Sequence, residues 1–212
     1  SDYNLAAPMM TLEHTEEIFQ GPLAHAYDED AVAAIARQLK EMNATVTPTL
    51  MIFDHLTQIC RDKQAFVDTL PLQYLNPLMR FIEARTSGAR WLNADDNTRD
   101  AMEKRNTYFQ AITRVLHEND VNLVLGSDAG VIFAIPGMST HDEIALLQEA
   151  GLPNEAILEM ATINAARVLR VDDRLGSIEA GKIADLVMTR SNPIEDPDAL
   201  RSPSAVVDRK SV

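Results

Sequence analysis

The chain has 212 residues, of which 46% are hydrophobic and 24% are charged, as in an ordinary globular protein with a sizeable core. Its net charge of -13 disfavours nucleic acids and anionic membranes as partners, because both are negatively charged themselves. Cys60 is the only cysteine, which excludes an intramolecular disulfide and a cysteine-rich zinc site. No apolar run reaches the length of a membrane span, and the start of the chain lacks the pattern of a signal peptide.

The first half of the chain alternates short apolar runs with helical patterns. Runs rich in β-branched residues predict strands, and apolar residues that recur every three or four positions predict helices. The predicted elements are a strand over Met9–His14, a helix over Glu29–Met42, a strand over Thr45–Leu50 and a mixed helical stretch over Phe53–Thr86. Pro48 cannot donate a ladder hydrogen bond, so we expect it near the end of the second strand.

The second half begins with a long helix and ends with a separate β segment. Thr140 and Glu143 have the spacing of a capping box, which predicts the start of a helix that ends at Gly151. The other predicted elements are a helix over Asp95–Glu118 capped by Asn97, a buried strand at 121–125, a helix opened by Pro153 and a strand over Ala184–Thr189.

Strands that alternate with helices predict an α/β fold with a parallel sheet. Only three core strands precede the last β segment, whereas an average sheet has about five or six. We therefore expect this chain to be a piece of a larger α/β fold.

Asp128 is the first candidate site residue. It follows the apolar run Leu123–Leu125 in LVLGSDAG, and the carboxyl ends of parallel strands are where α/β enzymes place their chemistry. A purely structural role is also open, because Asp beside Gly is common in turns.

The histidines are the other candidates. His14 closes the first strand, so its imidazole and the Asp128 carboxylate are expected at the same edge of the sheet. His141 lies just after the Asp128 loop, where a surface position is the simpler interpretation. His25, His55 and His117 are weaker candidates, and for His55 a structural role is favoured.

Several common catalytic motifs are absent from the sequence. It contains no H-x-H, H-E-x-x-H or C-x-x-C pattern, no G-x-S-x-G elbow and no glycine-rich phosphate loop. A catalytic zinc takes about three protein ligands, so His14 and Asp128 alone would leave most of its ligands missing.

Two stretches are similar to the amidohydrolase superfamily, in its imidazolonepropionase-like and prolidase-like branch. The similarity is strong over Asn122–Pro197, where LVLGSDAG is followed by ATINAARVLR and LGSIEAGKIADLV. It extends to Met10–Leu50, where TLEHTEEI and TVTPTL resemble the family's sixth and seventh barrel strands. It is absent over about 54–94, which would be a helical insertion.

The resemblance implies a partial (β/α)8 TIM barrel, about strands six to eight with their helices, over residues 1–170. Residues 171–212 would form a segment of a small β-sandwich and an irregular tail. The family holds one or two divalent metal ions, with zinc the first candidate. Its H-x-H pair on strand one, lysine on strand four and histidine on strand five have no counterpart in this sequence.

The resemblance also implies roles for three residues. Asp128 corresponds to the aspartate after strand eight, a metal ligand that takes a proton from the attacking water. His14 corresponds to the strand-six histidine, which contacts the metal or the substrate carbonyl. His141 corresponds to a histidine near the substrate.

The implied function is hydrolysis of amide or cyclic amide C–N bonds in a small molecule, dipeptides included, with this incomplete chain inactive by itself. The alternative is a non-catalytic half-barrel module that self-associates or binds a partner. Open strand edges favour a homo-oligomer in either case. We expect the natural N-terminus to lie upstream of Ser1, so the location of the protein stays unknown, with the cytoplasm as the default expectation.

Overall fold

The computed structural model describes residues 11–208 as an α/β fold with many helices and few strands. The strands are β1 (Thr11–Glu13), β2 (Thr45–Thr47), β3 (Asn122–Leu123), β4 (Leu186–Met188) and β5 (Ala205–Val207). The helices are α1 (Thr15–Gln20), α2 (Glu29–Glu41), α3 (Leu50–Asp62), α4 (Gln64–Thr69), α5 (Pro77–Glu83), α6 (Ser87–Leu92), α7 (Asp96–Glu118), α8 (Met138–Glu149), α9 (Asn154–Ala161) and α10 (Ile163–Val168). Single 3-10 turns occur at Leu72–Tyr74 and Pro197–Arg201.

The first three strands form a parallel sheet in the order β1-β2-β3, which confirms the predicted βα alternation. Thr11 pairs with Thr45, and Thr45 pairs with Asn122, so the three strands begin in register. The central strand β2 is buried along its whole length, as expected for a strand with a neighbour on each side. Met9 and Met10 of the predicted first strand lie outside the described residues.

The helices pack on the sheet through an aromatic core. Phe109 of α7 lies edge-on to Phe19 and Phe53, with ring centroids 5.6 and 4.6 Å apart. All three rings are buried, and edge-to-face pairs of this kind contribute about 1 kcal/mol each beyond their burial. The predicted helix over Asp95–Glu118 is confirmed, but its cap is the Asp95 carboxylate, which accepts from Thr98 N, rather than Asn97.

The predicted strand over Thr45–Leu50 is shorter than expected. It ends at Thr47, Pro48 lies just beyond it, and Thr49 takes a left-handed conformation that reverses the chain into α3. Hydrophobic Leu50–Phe53 therefore begins a buried helix, and His55 lies within that helix rather than after a strand. A buried helix and a buried strand have the same apolar composition over so short a run.

The predicted capping box at Thr140 and Glu143 is wrong. Helix α8 begins at Met138 after Gly137, whose positive φ of 85° suits glycine. Glu143 is then in the second turn, and its side chain points inward to another helix.

The C-terminal segment forms its own small sheet. β4 and β5 pair antiparallel, which confirms a strand within Ala184–Thr189, and most of their side chains are exposed. The predicted helix after Pro153 is interrupted at Thr162, and Leu169 beyond its second part is 71% exposed. The part of the chain that the structure describes contains no helix that is both long and apolar enough to span a membrane.

Candidate functional site

The carboxyl ends of the three parallel strands define the candidate site. His14 is the first residue after β1, Thr49 is the second residue after β2, and Asp128 lies in the loop after β3. All three have positive φ angles, of 72°, 52° and 49°. This conformation is costly for a β-branched residue such as Thr49, and backbone strain of this kind concentrates at functional sites.

The sheet brings His14 and Asp128 to one edge but does not make them neighbours. They follow its two outer strands, with β2 between them. Adjacent strands are spaced about 4.8 Å apart, so β1 and β3 are separated by roughly 10 Å. Gly126 allows the segment after β3 to approach β2 closely, since a Cβ there would stand 2.5 Å from Thr47 Cγ2.

His14 is hydrogen-bonded to the end of β2 and to the loop after it. Its backbone N–H donates to Thr47 O at 2.9 Å, and its Nδ1 lies 2.7 Å from Thr49 Oγ1. The Thr49 hydroxyl also donates to Pro48 O at 2.8 Å. The ring is partly buried and held on its Nδ1 side.

The Glu143 side chain caps the first N–H groups of α3, because Thr49 provides no side-chain cap there. Its Oε1 accepts from Leu50 N at 3.1 Å and its Oε2 from Met51 N at 2.7 Å. The side chain is fully buried, and desolvation raises its pKa to about 8, although the backbone hydrogen bonds oppose this shift.

The stability of the chain should therefore fall as the pH rises. The Glu143 pKa is about 8 when folded and 4.5 in its ordinary state, so the folded chain binds the extra proton between these values. The contribution is complete below pH 4.5, and about 5 kcal/mol is lost progressively as the pH rises from 4.5 to 8. Urea denaturation from pH 5 to pH 9 measures this slope, and Glu143→Gln should flatten it. Equal slopes in both proteins would contradict the assignment, because the remaining charges are common to them.

The Asp128 loop is joined to the start of α8. Ser127 Oγ lies 2.9 Å from Ser139 Oγ, and both serines are buried. Asp128 itself is exposed, and its carboxylate makes no hydrogen bond or ion pair within residues 11–208. It is therefore available to a ligand or to water.

Side chains from α3 and α5 hold the far end of the same loop. Glu83 Oε2 accepts from Ile132 N at 3.2 Å, and His55 Nδ1 donates to Ile132 O at 3.3 Å. Ile132 and Phe133 both have positive φ, so these two hydrogen bonds hold a strained segment of backbone in place. Burial raises the pKa of Glu83 and lowers that of His55, which is consistent with a structural histidine.

His141 lies in the first turn of α8, two residues after Ser139. Its backbone carbonyl accepts from Arg201 Nη2 at 3.1 Å, and Arg201 also pairs with Asp142. Partial burial, with a smaller contribution from Arg201, lowers the pKa of His141, so its imidazole is largely neutral near pH 7.

The described residues do not complete a metal centre. His14 and Asp128 offer an imidazole and a carboxylate, both suitable for a divalent ion. However, residues 11–208 contain no cluster of three His, Cys, Asp or Glu side chains able to hold one. Two donors are fewer than the usual three protein ligands of catalytic zinc.

A cavity of about 580 Å³ lies at the opposite, amino-terminal end of the strands. Its floor is formed by Thr11, Thr45 and Asn122, the residues that begin the three strands in register. His117 also lines this cavity, so it is placed away from His14 and Asp128.

Sequence patterns alone missed Thr49, Glu83 and Glu143. Each acts through a partner 35 or more residues away, so local spacing offers no signal. The apolar surroundings of Glu143 in EIALL are the one available hint, because a glutamate between buried residues requires a partner.

Comparisons with known proteins agree with the geometry. Residues 12–209 match the sequence model of the amidohydrolase family. A stretch of 54 residues is 48% identical to a 5-methylthioadenosine/S-adenosylhomocysteine deaminase of Desulforudis audaxviator (strain MP104C), over 23% of this chain and 13% of that protein.

Two solved structures show the same fold. A bottromycin amidohydrolase is similar with a TM-score of 0.64 and 28% identity, over 93% of this chain and 44% of that one. A Xaa-Pro dipeptidase with methionine bound in its active site gives a TM-score of 0.60 and 24% identity, over 96% and 39%. This chain thus spans less than half of the length of either protein.

Proposed function

Because this chain belongs to the amidohydrolase family, we propose that it forms part of the active site of a hydrolase that acts on amide or cyclic amide C–N bonds. Dipeptides are among the candidate substrates. The supporting observation is that the parallel sheet places His14 and the Asp128 loop at one edge, the carboxyl edge, where barrel enzymes have their active sites.

In this proposal the described strands correspond to about strands six to eight of a (β/α)8 barrel, and β4 and β5 to part of a small β-sandwich. Asp128 accepts a proton from the attacking water, since its carboxylate is exposed and uncommitted in the described structure. His14 contacts the substrate carbonyl or a metal through Nε2, and His141 contacts the substrate. A divalent metal, zinc first, requires ligands beyond residues 11–208.

The proposal extends to assembly and location. Within the described residues, β1 and β3 each have one paired neighbour, which leaves edges that another chain can cover. We therefore include a homo-oligomer in the proposal, and we keep the cytoplasm as the proposed location. A purely non-catalytic half-barrel module is not favoured, since the family match extends over residues 12–209.

The proposal is tested with the 212-residue chain and with an extended version that includes any residues its gene encodes before Ser1. Both are assayed for metal content, for hydrolysis of Xaa-Pro dipeptides and cyclic amides, and for size by chromatography. We expect the extended version to hydrolyse a C–N bond with bound metal, and the 212-residue chain to do neither. Turnover by the 212-residue chain would contradict its inactivity, and a metal-free, inactive dimer in both versions would support the module instead.

A further inference from the structure

The structure points to Thr49 as a positioning residue that fixes which nitrogen of His14 carries the proton. We propose that the Thr49 hydroxyl accepts a hydrogen bond from Nδ1–H of His14, which leaves Nε2 as a lone-pair donor toward the site. This inference deepens the proposed function and rests on it for its catalytic meaning.

The first step of the argument is the direction of the hydrogen bonds. A threonine hydroxyl has one hydrogen to donate, and at Thr49 the carbonyl oxygen of Pro48 lies 2.8 Å away to accept it. The Thr49 hydroxyl oxygen also lies 2.7 Å from His14 Nδ1, and because its hydrogen is donated to Pro48 O, it can only accept a hydrogen bond from that nitrogen. His14 must then be protonated on Nδ1.

The second step concerns the competition for Pro48 O. This carbonyl also accepts from Thr15 N at 3.1 Å, and the Thr15 hydroxyl lies 3.3 Å from both Pro48 O and Thr113 Oγ1. Thr113 donates to Phe109 O, so its oxygen can accept from Thr15. The two lone pairs of Pro48 O are then filled by Thr15 N and Thr49 Oγ1, and every hydrogen in the network has one acceptor.

The third step is the fixed position of Thr49. Its backbone is left-handed at φ 52°, and its side chain is 2% exposed. Glu143 accepts from the N–H groups of the next two residues, Leu50 and Met51, which holds the turn in place. Glu143 therefore supports the Thr49 hydroxyl without touching His14.

The hydrogen bond between His14 and Thr49 decides which nitrogen of the imidazole can bind a ligand. A neutral histidine binds a metal or accepts a hydrogen bond only through its unprotonated nitrogen, and a hydrogen bond to the other nitrogen decides which one that is. In water a free histidine side chain favours the Nε2–H form, so without Thr49 the nitrogen that Thr49 leaves unbonded, Nε2, would carry the proton.

The tautomer is measured by long-range ¹H–¹⁵N spectra of the 212-residue chain with labelled histidine, at a pH where His14 is neutral. The chain has five histidines, and the His14 signal is identified as the one that disappears in His14→Gln. We expect His14 in the Nδ1–H form in the wild-type protein and in Thr49→Ser, which retains the hydroxyl. Thr49→Val should convert it mainly to the Nε2–H form.

Thr57→Val is the matched control. It removes a buried hydroxyl from α3, the helix that Thr49 precedes. This hydroxyl donates to Phe53 O and makes no hydrogen bond with His14. A wild-type His14 in the Nε2–H form would overturn the inference, as would an unchanged spectrum in Thr49→Val. If Thr49→Val does not fold, the wild-type and Thr49→Ser spectra still decide. None of these readouts needs metal or turnover, so the proposed function can fail independently.

Discussion

Replacing Asp128 by asparagine should lower kcat by a factor of about 10²–10⁴ in the catalytically competent polypeptide, with a much smaller change in KM. Asparagine has nearly the same shape as aspartate, but its amide cannot take a proton from water. It also tolerates the positive φ of 49° at this position, so the loop should keep its conformation. Initial-rate kinetics across substrate concentrations separate kcat from KM.

Asp120→Asn is the matched control for this experiment. Asp120 is also exposed and also has a positive φ, of 55°, but it lies before β3 at the amino-terminal end of the sheet. The same chemical change there should leave kcat unaltered. A fully active Asp128→Asn protein would remove Asp128 from catalysis, and equal losses in both variants would indicate a general effect of charge.

The parts of the fold that follow from local pattern could be predicted from the sequence. The long amphipathic helix α7, the strand before Asp128 and the parallel βα order all follow from hydrophobic periodicity. The position of His14 and Asp128 at one edge follows from the parallel order alone, because successive strands then end on the same side.

The remaining features depend on contacts between distant segments. Whether TPTLMIFD continues as a strand or turns into a helix is decided at Thr49, where the chain reverses and Glu143 accepts from the first helical N–H groups. Glu143 also has the spacing of a local capping box, so the sequence favoured an intrahelical role that tertiary structure overrides. The hydrogen bonds to Ile132 likewise require His55 of α3 and Glu83 of α5, where periodicity indicates helix and nothing in the local sequence indicates a partner.

Residues with strained backbone conformations occur in two separate loops at the carboxyl ends of the strands. Thr49 and Ile132 are β-branched residues with positive φ, a conformation that costs about 1–3 kcal/mol for such residues. The carboxyl group of Glu143 accepts hydrogen bonds just after Thr49, and that of Glu83 accepts from Ile132 itself. Two loops of the candidate site are thus maintained by buried glutamate side chains from other elements.

Removing the first of these carboxyl groups should have the largest effect on stability. Glu143→Ala leaves the N–H groups of Leu50 and Met51 buried without an acceptor, and two unsatisfied buried donors cost about 4 kcal/mol. Urea denaturation at about pH 6, below the raised pKa of Glu143, measures the loss as a shift of the midpoint at constant slope. Glu149→Ala makes the same substitution at an exposed position of the same helix and should stay close to the wild type. If both alanine variants unfold at the same urea concentration, the Glu143 carboxyl group does not hold the start of α3, and Thr49 must be kept in its left-handed conformation by packing alone.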